Sequence, residues 1–385
     1  MKNITIVGGG FAGLWAAMSA AAERDHWGIS PQELNIHLIN KDGFLVVRPR
    51  LYEGAQDSMK VPLRPLLDAI DVGFSEALVS DIDPLKNEIT FDKSDAVHVH
   101  KFDELILASG SQIRALPIEG ARQFGFCNDT FDDAAKLDKH LGSGTRLPVV
   151  VVGAGFTGIE TATELRSRLG EDTRIILIDQ QAKVGQELGS NLTPKISSAL
   201  LECEIETRLN ASITKMDKNS LTLKSGETIA TETVIFATGQ EASPLTRFFD
   251  GQKDNLGRLI VDPNLKLPEY DDIFIAGDTA HAMADENHAT LMSCQHAMQL
   301  GRFAGYNAVR DIAGKPLQAY SQEVYRTCLD LGPAGAVLTM GWDRQIQKSG
   351  PECKAVKLQI TQELIYPPTP EAGAQPIFEA IGLSH

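Results

Sequence analysis

Cysteine is scarce, with five in 385 residues. Cys127, Cys203, Cys294, Cys328 and Cys353 are scattered, odd in number, and form neither a C-x-x-C nor a C-x-x-x-x-C pair. That pattern excludes a disulfide framework and a zinc ribbon, and it points to a reducing compartment. Basic residues are outnumbered, 36 Lys and Arg against 51 Asp and Glu, for a net charge of −15. Nucleic-acid binders carry a basic face that releases counterions, so the balance speaks against one. It also disfavours strong attraction to anionic lipid. No long apolar run is present. The nearly uncharged stretch 3–22 is centred on Gly8-Gly9-Gly10-Phe11-Ala12-Gly13, and only Lys2 stands before it as a basic flank. It suits a phosphate loop better than a signal peptide or a spanning helix, and a soluble cytoplasmic protein is expected.

What is present is ordinary globular usage, 43% apolar and 23% charged, in a chain long enough for two or three domains. The glycines carry the information. Residues 3–7 read as a β-branched strand, the glycine loop follows, 14–22 reads as a helix, and 34–40 (LNIHLIN) as the next strand. The order strand, G-x-G-x-x-G, helix, strand is the dinucleotide-binding unit. It recurs: Val149–Val152, then Gly153-Ala154-Gly155-Phe156-Thr157-Gly158, a helix from Ile159 to Arg168, and a strand over 174–179 (RIILID). One such loop is a weak signal; two in the same context are strong. Gly8 and Gly153 permit the tight turn, Gly10 and Gly155 let backbone approach a pyrophosphate, and Gly13 and Gly158 allow close helix–strand packing. The helix N-termini supply N–H donors and positive dipole.

The ends of the second strands differ. Asp179 stands about twenty residues after its glycine loop, where an acid meets a ribose hydroxyl. No arginine follows at once, which favours NADH over NADPH. The matching residue of the first unit is Asn40, which keeps hydrogen-bonding capacity without charge. The segment 24–33 lengthens that first crossover.

Three later strands complete the pattern. Residues 102–110 (FDELILASG) and 233–239 (TVIFATG) each end in Ala-Ser/Thr-Gly, at Gly110 and Gly239, and 272–278 (DIFIAGD) ends in Gly277-Asp278. As a set, these loops and strands resemble the two-dinucleotide flavoprotein reductases over roughly residues 1–310. The resemblance implies an α/β fold of two Rossmann-like dinucleotide-binding domains, the NAD(P)H domain inserted into the FAD domain, plus a short C-terminal cap. The expected division is 1–115 and 245–330 for FAD, 116–244 for NAD(P)H, and 331–385 for the cap. By the same likeness Asp278 binds the ribityl chain of FAD.

Without a vicinal redox pair, the disulfide-reducing branches drop out. Sulfide:quinone reductases use separated cysteines, and here Cys127 with Cys328 or Cys353 is the pairing to consider. The segment 291–302 (LMSCQHAMQLGR) is similar to the A-Q-x-A-x-Q-x-G helix of type II NADH:quinone oxidoreductases, with Cys294 in place of an alanine. Gln295 and Gln299 stand at i and i+4 on one helix face. The resemblance places that face by the flavin and the quinone. Leu51-Tyr52-Glu53 and the Gly158-Ile159-Glu160 triplet also match, with Glu160 expected near the nicotinamide and flavin. His281, His288 and His296 lack metal spacing, and only His296, inside the glutamine motif, is a candidate for function.

The expected reaction is hydride transfer from NADH to FAD, then two electrons to a quinone-like acceptor. Sulfide, an electron-transfer protein, O2 or a biosynthetic substrate stay open as acceptors, and so does an NADH-responsive redox sensor. The tail departs from the membrane-attached members of the branch. Residues 354–365 read as a helix flanked by Lys354 and Lys357, and Pro367, Pro368 and Pro370 then break it. Peripheral contact with the inner face of a membrane, homodimerisation, packing on the FAD domain and covering the flavin are the alternatives for this segment. Residues 328–344 suit a hairpin or loop near the flavin.

Overall fold

The computed structural model describes residues 1–93 and 96–381. Strand β1 (Lys2–Val7), helix α1 (Phe11–His26) and strand β2 (Leu34–Asn40) form the first unit. With β3 (Gly73–Glu76), β4 (Glu104–Leu107) and a late strand they build a five-stranded sheet, entirely parallel. The second unit repeats the plan with β5 (Phe126–Cys127), β6 (Val149–Val152), α2 (Phe156–Leu169), β7 (Ile175–Ile178), β8 (Glu206–Arg208) and β9 (Thr233–Phe236). The late strand of the first sheet is β10 (Ile273–Ile275). The spatial orders correspond: β10-β4-β1-β2-β3 in one sheet and β5-β9-β6-β7-β8 in the other. All four residues of β6, β7 and β9 are buried, as a parallel sheet covered on both faces requires. The second sheet lies in the chain between β4 and β10 of the first. The two connections across this boundary, 111–113 and 240–242, pair antiparallel.

Helix α1 begins earlier and ends later than the sequence suggests, taking in part of 24–33. The reason lies at its end: Glu23 and Arg24 are buried, and the Arg24 guanidinium donates to the carbonyls of Leu34, Ile70 and Asp71. The strand read over 272–278 is shorter, because Gly277–Thr279 coils into a single tight turn.

Helix α3 (Cys294–Ile312) packs along α1. A Cβ on Gly301 would fall 2.1 Å from the Ala12 carbonyl oxygen, and one on Gly305 2.1 Å from that of Ala16. Two glycines one turn apart thus bring the helix backbones together, with both helices running the same way. Because Gly301 meets the first turn of α1, the residues of α3 before it project past the N-terminus of α1.

The hairpin expected over 328–344 is present as β11 (Arg326–Asp330) and β12 (Ala336–Met340), extended by β13 (Gln345–Gly350). Helix α4 (Pro351–Gln359) and a π-helical turn to Leu364 follow, ending before the three prolines. Helix α5 (Ala374–Ile381) returns to the first unit and buries Ile377 and Ile381 in the core that α1 shares. Among the described residues no helix is long and apolar enough to cross a membrane.

Candidate functional site

Both glycine loops have the same close packing. Gly8 and Gly153 sit at φ +108° and +107°, and a Cβ on either would fall 2.3 Å from the carbonyl oxygen of Ala108 or Ala237. A Cβ on Gly13 or Gly158 would fall 1.7 Å from the carbonyl oxygen of Gly8 or Gly153. Only glycine fits, so each helix is drawn against its own strand and its first turn points along the sheet edge. A Cβ on Gly10 would meet nothing within 4 Å, whereas Gly155 lies under the Glu187 carboxylate. Neither α1 nor α2 has a side-chain N-cap, which leaves first-turn N–H groups for an anion.

The strand ends brace these loops. Asn40 Oδ1 accepts from the Gly9 N–H at 2.8 Å, and Asp179 Oδ2 accepts from the Ala154 N–H at 2.5 Å. Asn40 therefore makes the same loop bond as Asp179 without its charge. The Ser109 and Thr238 hydroxyls, each just before Gly110 and Gly239, are buried and lack a partner among the described residues. Asp278, in the turn after Gly277, accepts from Ser111 Oγ at 2.6 Å. Orphan hydroxyls beside glycine cradles are what a bound dinucleotide would satisfy, and both sets fit FAD and NADH in their polar donors; the first has open room for backbone approach at Gly10, while at Gly155 the Glu187 side chain would have to turn aside.

Glu160 is the buried charge of the site. It lies in the first turns of α2, and Lys357 Nζ donates to its Oε1 at 2.7 Å. The Asp330 N–H donates to the same oxygen at 3.0 Å, and Lys357 also donates to the Cys328 carbonyl at 3.0 Å. The Lys357 ammonium lies over the rings of Tyr52 and Phe156, 5.5 and 5.7 Å from their centroids. Burial pushes the Glu160 carboxyl up to about 7, against the pull of the Lys357 ammonium. Burial works to lower Lys357, but Glu160, with Asp330 and Cys328 behind it, outweighs burial and holds the ammonium above its ordinary range.

The three candidates on α3 separate. Gln295 Oε1 accepts from the Arg326 N–H at 3.3 Å, while its amide nitrogen is buried without a partner among the described residues. Gln299, one turn on, is half-buried. His296 points elsewhere, fully buried, with Nδ1 3.0 Å from Gln322 Oε1 and its ring stacked on Tyr325 and Trp342. Burial pushes it down to about 4, so it is neutral at pH 7. Of the cysteines, Cys328 packs against Cys353, and burial pushes its thiol up to about 12. Cys127 sits on β5 beside Asp129 and Asp133, pushed up to about 11 by burial.

Lys357, Asp330 and Lys354 are the site residues that sequence reasoning missed. The two lysines read as polar flanks of a helix. In α4, Lys357 falls on the buried face with Cys353, one turn earlier. That i, i+4 match of a lysine with a buried residue was the available signal.

Comparison with known proteins adds the following. The family model described as pyridine nucleotide-disulphide oxidoreductase matches residues 2–301. An NADH dehydrogenase-like protein of Mycobacterium tuberculosis is 38% identical over 383 residues, covering 96% of this chain and 95% of that one. A demethylphylloquinone reductase of Synechocystis is 27% identical over 356 residues, covering 88% and 86%. Among solved structures, NDH2 of Plasmodium falciparum in complex with NADH superposes with a TM-score of 0.77 at 14% identity, covering 99% of this chain and 97% of that one.

Proposed function

The chain belongs to the pyridine nucleotide-disulphide oxidoreductase family, as an NADH dehydrogenase-like oxidoreductase, and from that premise we propose that it carries electrons from NADH through FAD to a quinone-like acceptor. The observation that carries this reading is the buried Glu160–Lys357 pair, together with the unpartnered Gln295 amide on the projecting end of α3. Quinone relatives such as the demethylphylloquinone reductase support the acceptor class.

Residues 1–115 and 245–330 would hold FAD, 116–244 NADH, and 331–385 would form the cap. Asn40, Ser109, Gly110, Gly277 and Asp278 line the first cradle; Asp179, Thr238 and Gly239 line the second. The chemistry FAD supplies when bound is acceptance of a hydride and delivery of two electrons. The overall change, NADH + Q + H⁺ → NAD⁺ + QH2, consumes one proton from solution. Glu160 Oε1 and Lys357 Nζ hold that proton in a water-poor pocket, and a carboxyl raised to about 7 is suited to release it at neutral pH. The Gln295 amide N–H orients a carbonyl oxygen of the acceptor, with Gln299 one turn behind. His296 is neutral and holds the register of this helix through Gln322. The negative Asp179 repels a 2′-phosphate and favours NADH.

The test is anaerobic reduction of the holoprotein by NADH, then rapid mixing with a short-chain quinone. Bleaching of the flavin absorption followed by fast return is expected. Bleaching without return would keep the NADH half of the reaction and remove the quinone.

A further inference from the structure

Behind Glu160 stands a second buried carboxylate, Asp330, whose side chain is 3% exposed. Its two oxygens are fully engaged. Lys354 Nζ donates to both, at 2.5 and 2.6 Å, the Tyr52 hydroxyl donates to Oδ2 at 2.8 Å, and the Gly332 N–H donates to Oδ1 at 2.9 Å. Lys354 and Lys357 stand at i and i+3 on α4, so both ammonium groups enter from one helix and each takes one carboxylate. Asp330 touches Glu160 only through its backbone N–H. Its charge nevertheless acts on Glu160 and on Lys357.

Two carboxylates in a dry pocket repel, and a like charge nearby raises a carboxyl's proton affinity. What keeps Asp330 from doing this in full is the Lys354 ammonium. Without it Asp330 would be an unpaired buried anion and would compete with Glu160 for Lys357. We infer that Lys354 is a positioning residue: by neutralising Asp330 it sets the proton affinity of Glu160 and reserves Lys357 for Glu160. Lys354 is the more exposed member of the pair, its side chain 29% exposed against 3% for Asp330.

Other groups face this cluster from each neighbouring element. Glu164 and Arg168 lie on α2, Tyr52 and Glu53 in the 3-10 turn Arg48–Glu53, Cys328 on β11, and Cys294 at the start of α3. Of these, Tyr52 donates its hydroxyl to Asp330 but brings no positive charge, and Lys354 is the cation bonded to that carboxylate.

The inference rests on the proposed role of Glu160, but its test does not use the acceptor. The titration of Glu160 is followed by 13C NMR in the FAD-loaded protein carrying carboxyl-labelled glutamate, with Glu160→Gln assigning the signal. Lys354→Met is expected to move the midpoint upward by about one pH unit or more. Adding Asp330→Asn in the same chain is expected to return it, and Lys354→Arg to leave it near the parent value. An unmoved midpoint in Lys354→Met overturns the inference. So does a shift that Asp330→Asn fails to reverse, since that would be a packing effect. If instead Glu160→Gln leaves quinone turnover intact while these shifts occur, the role of Glu160 fails and the inference about Lys354 stands.

Discussion

Lys357 Nζ lies 2.7 Å from Glu160 Oε1 across 197 residues of chain, and both side chains are 5% exposed. The bond ties the C-terminal segment to the helix that opens the second dinucleotide unit. Removing one partner strands the other in the core, which costs up to about 3–5 kcal/mol, less where Glu160 takes up a proton. Lys357→Met is therefore expected to lower stability by that amount in urea unfolding. Glu160→Gln in the same chain should recover most of it. Quinone turnover should stay low in the double variant, which separates the loss of chemistry from the loss of stability.

Gly301→Ala tests the approach of α3 to α1. The added Cβ would lie 2.1 Å from a backbone oxygen that cannot rotate away, so the helices must part. The expected cost is about 1–3 kcal/mol, with a lower flavin-to-protein absorbance ratio after purification.

Asp179→Ala removes both the brace on the Ala154 N–H and the bond to the Gln181 N–H. NADH should bind about tenfold more weakly, ~1.4 kcal/mol, and the preference over NADPH should narrow because the repelling charge is gone. Titration with each nucleotide measures both effects. An unchanged NADH:NADPH ratio would place nucleotide selection elsewhere.

Glu104, at the start of β4, is buried among carboxylates. Burial, then Asp311, pushes it up to about 9, while Lys266 opposes. Between the ordinary 4.5 of an unfolded glutamate and about 9, the folded chain holds the extra proton. Stability should fall as pH rises through that window. Glu104→Gln should flatten the slope, raising Tm at pH 8 and making little difference below pH 4.5; thermal melts across pH decide it.

Much of this was legible in the sequence because it is local. Each glycine loop, its strand and its helix lie within a few tens of residues, and only a few arrangements satisfy that spacing. The shared face of Gln295 and Gln299 follows from helix periodicity alone. The parts that were not legible are non-local. Whether Lys357 is a solvated flank or a buried cation depends on Glu160 and the Cys328 carbonyl, which no spacing rule connects to it. Asp330 ends β11 and pairs locally with Ala336, but the lysine and tyrosine that bury its carboxylate, Lys354 and Tyr52, lie 24 and 278 residues away. Asn40 is intermediate: its place was readable, but its bond to the Gly9 N–H appears only once the loop is folded.

The insertion of the second sheet between β4 and β10 has a consequence for synthesis. When β4 leaves the ribosome its outer edge is bare, and the strand that will cover it has not been translated. At roughly 5–20 residues per second, that edge stays open for on the order of ten seconds or more while the whole second unit is made. The nascent chain must therefore carry an unfinished hydrogen-bonded edge until residues 273–275 arrive. Conditions that slow elongation through the second unit should fall hardest on the yield of soluble protein.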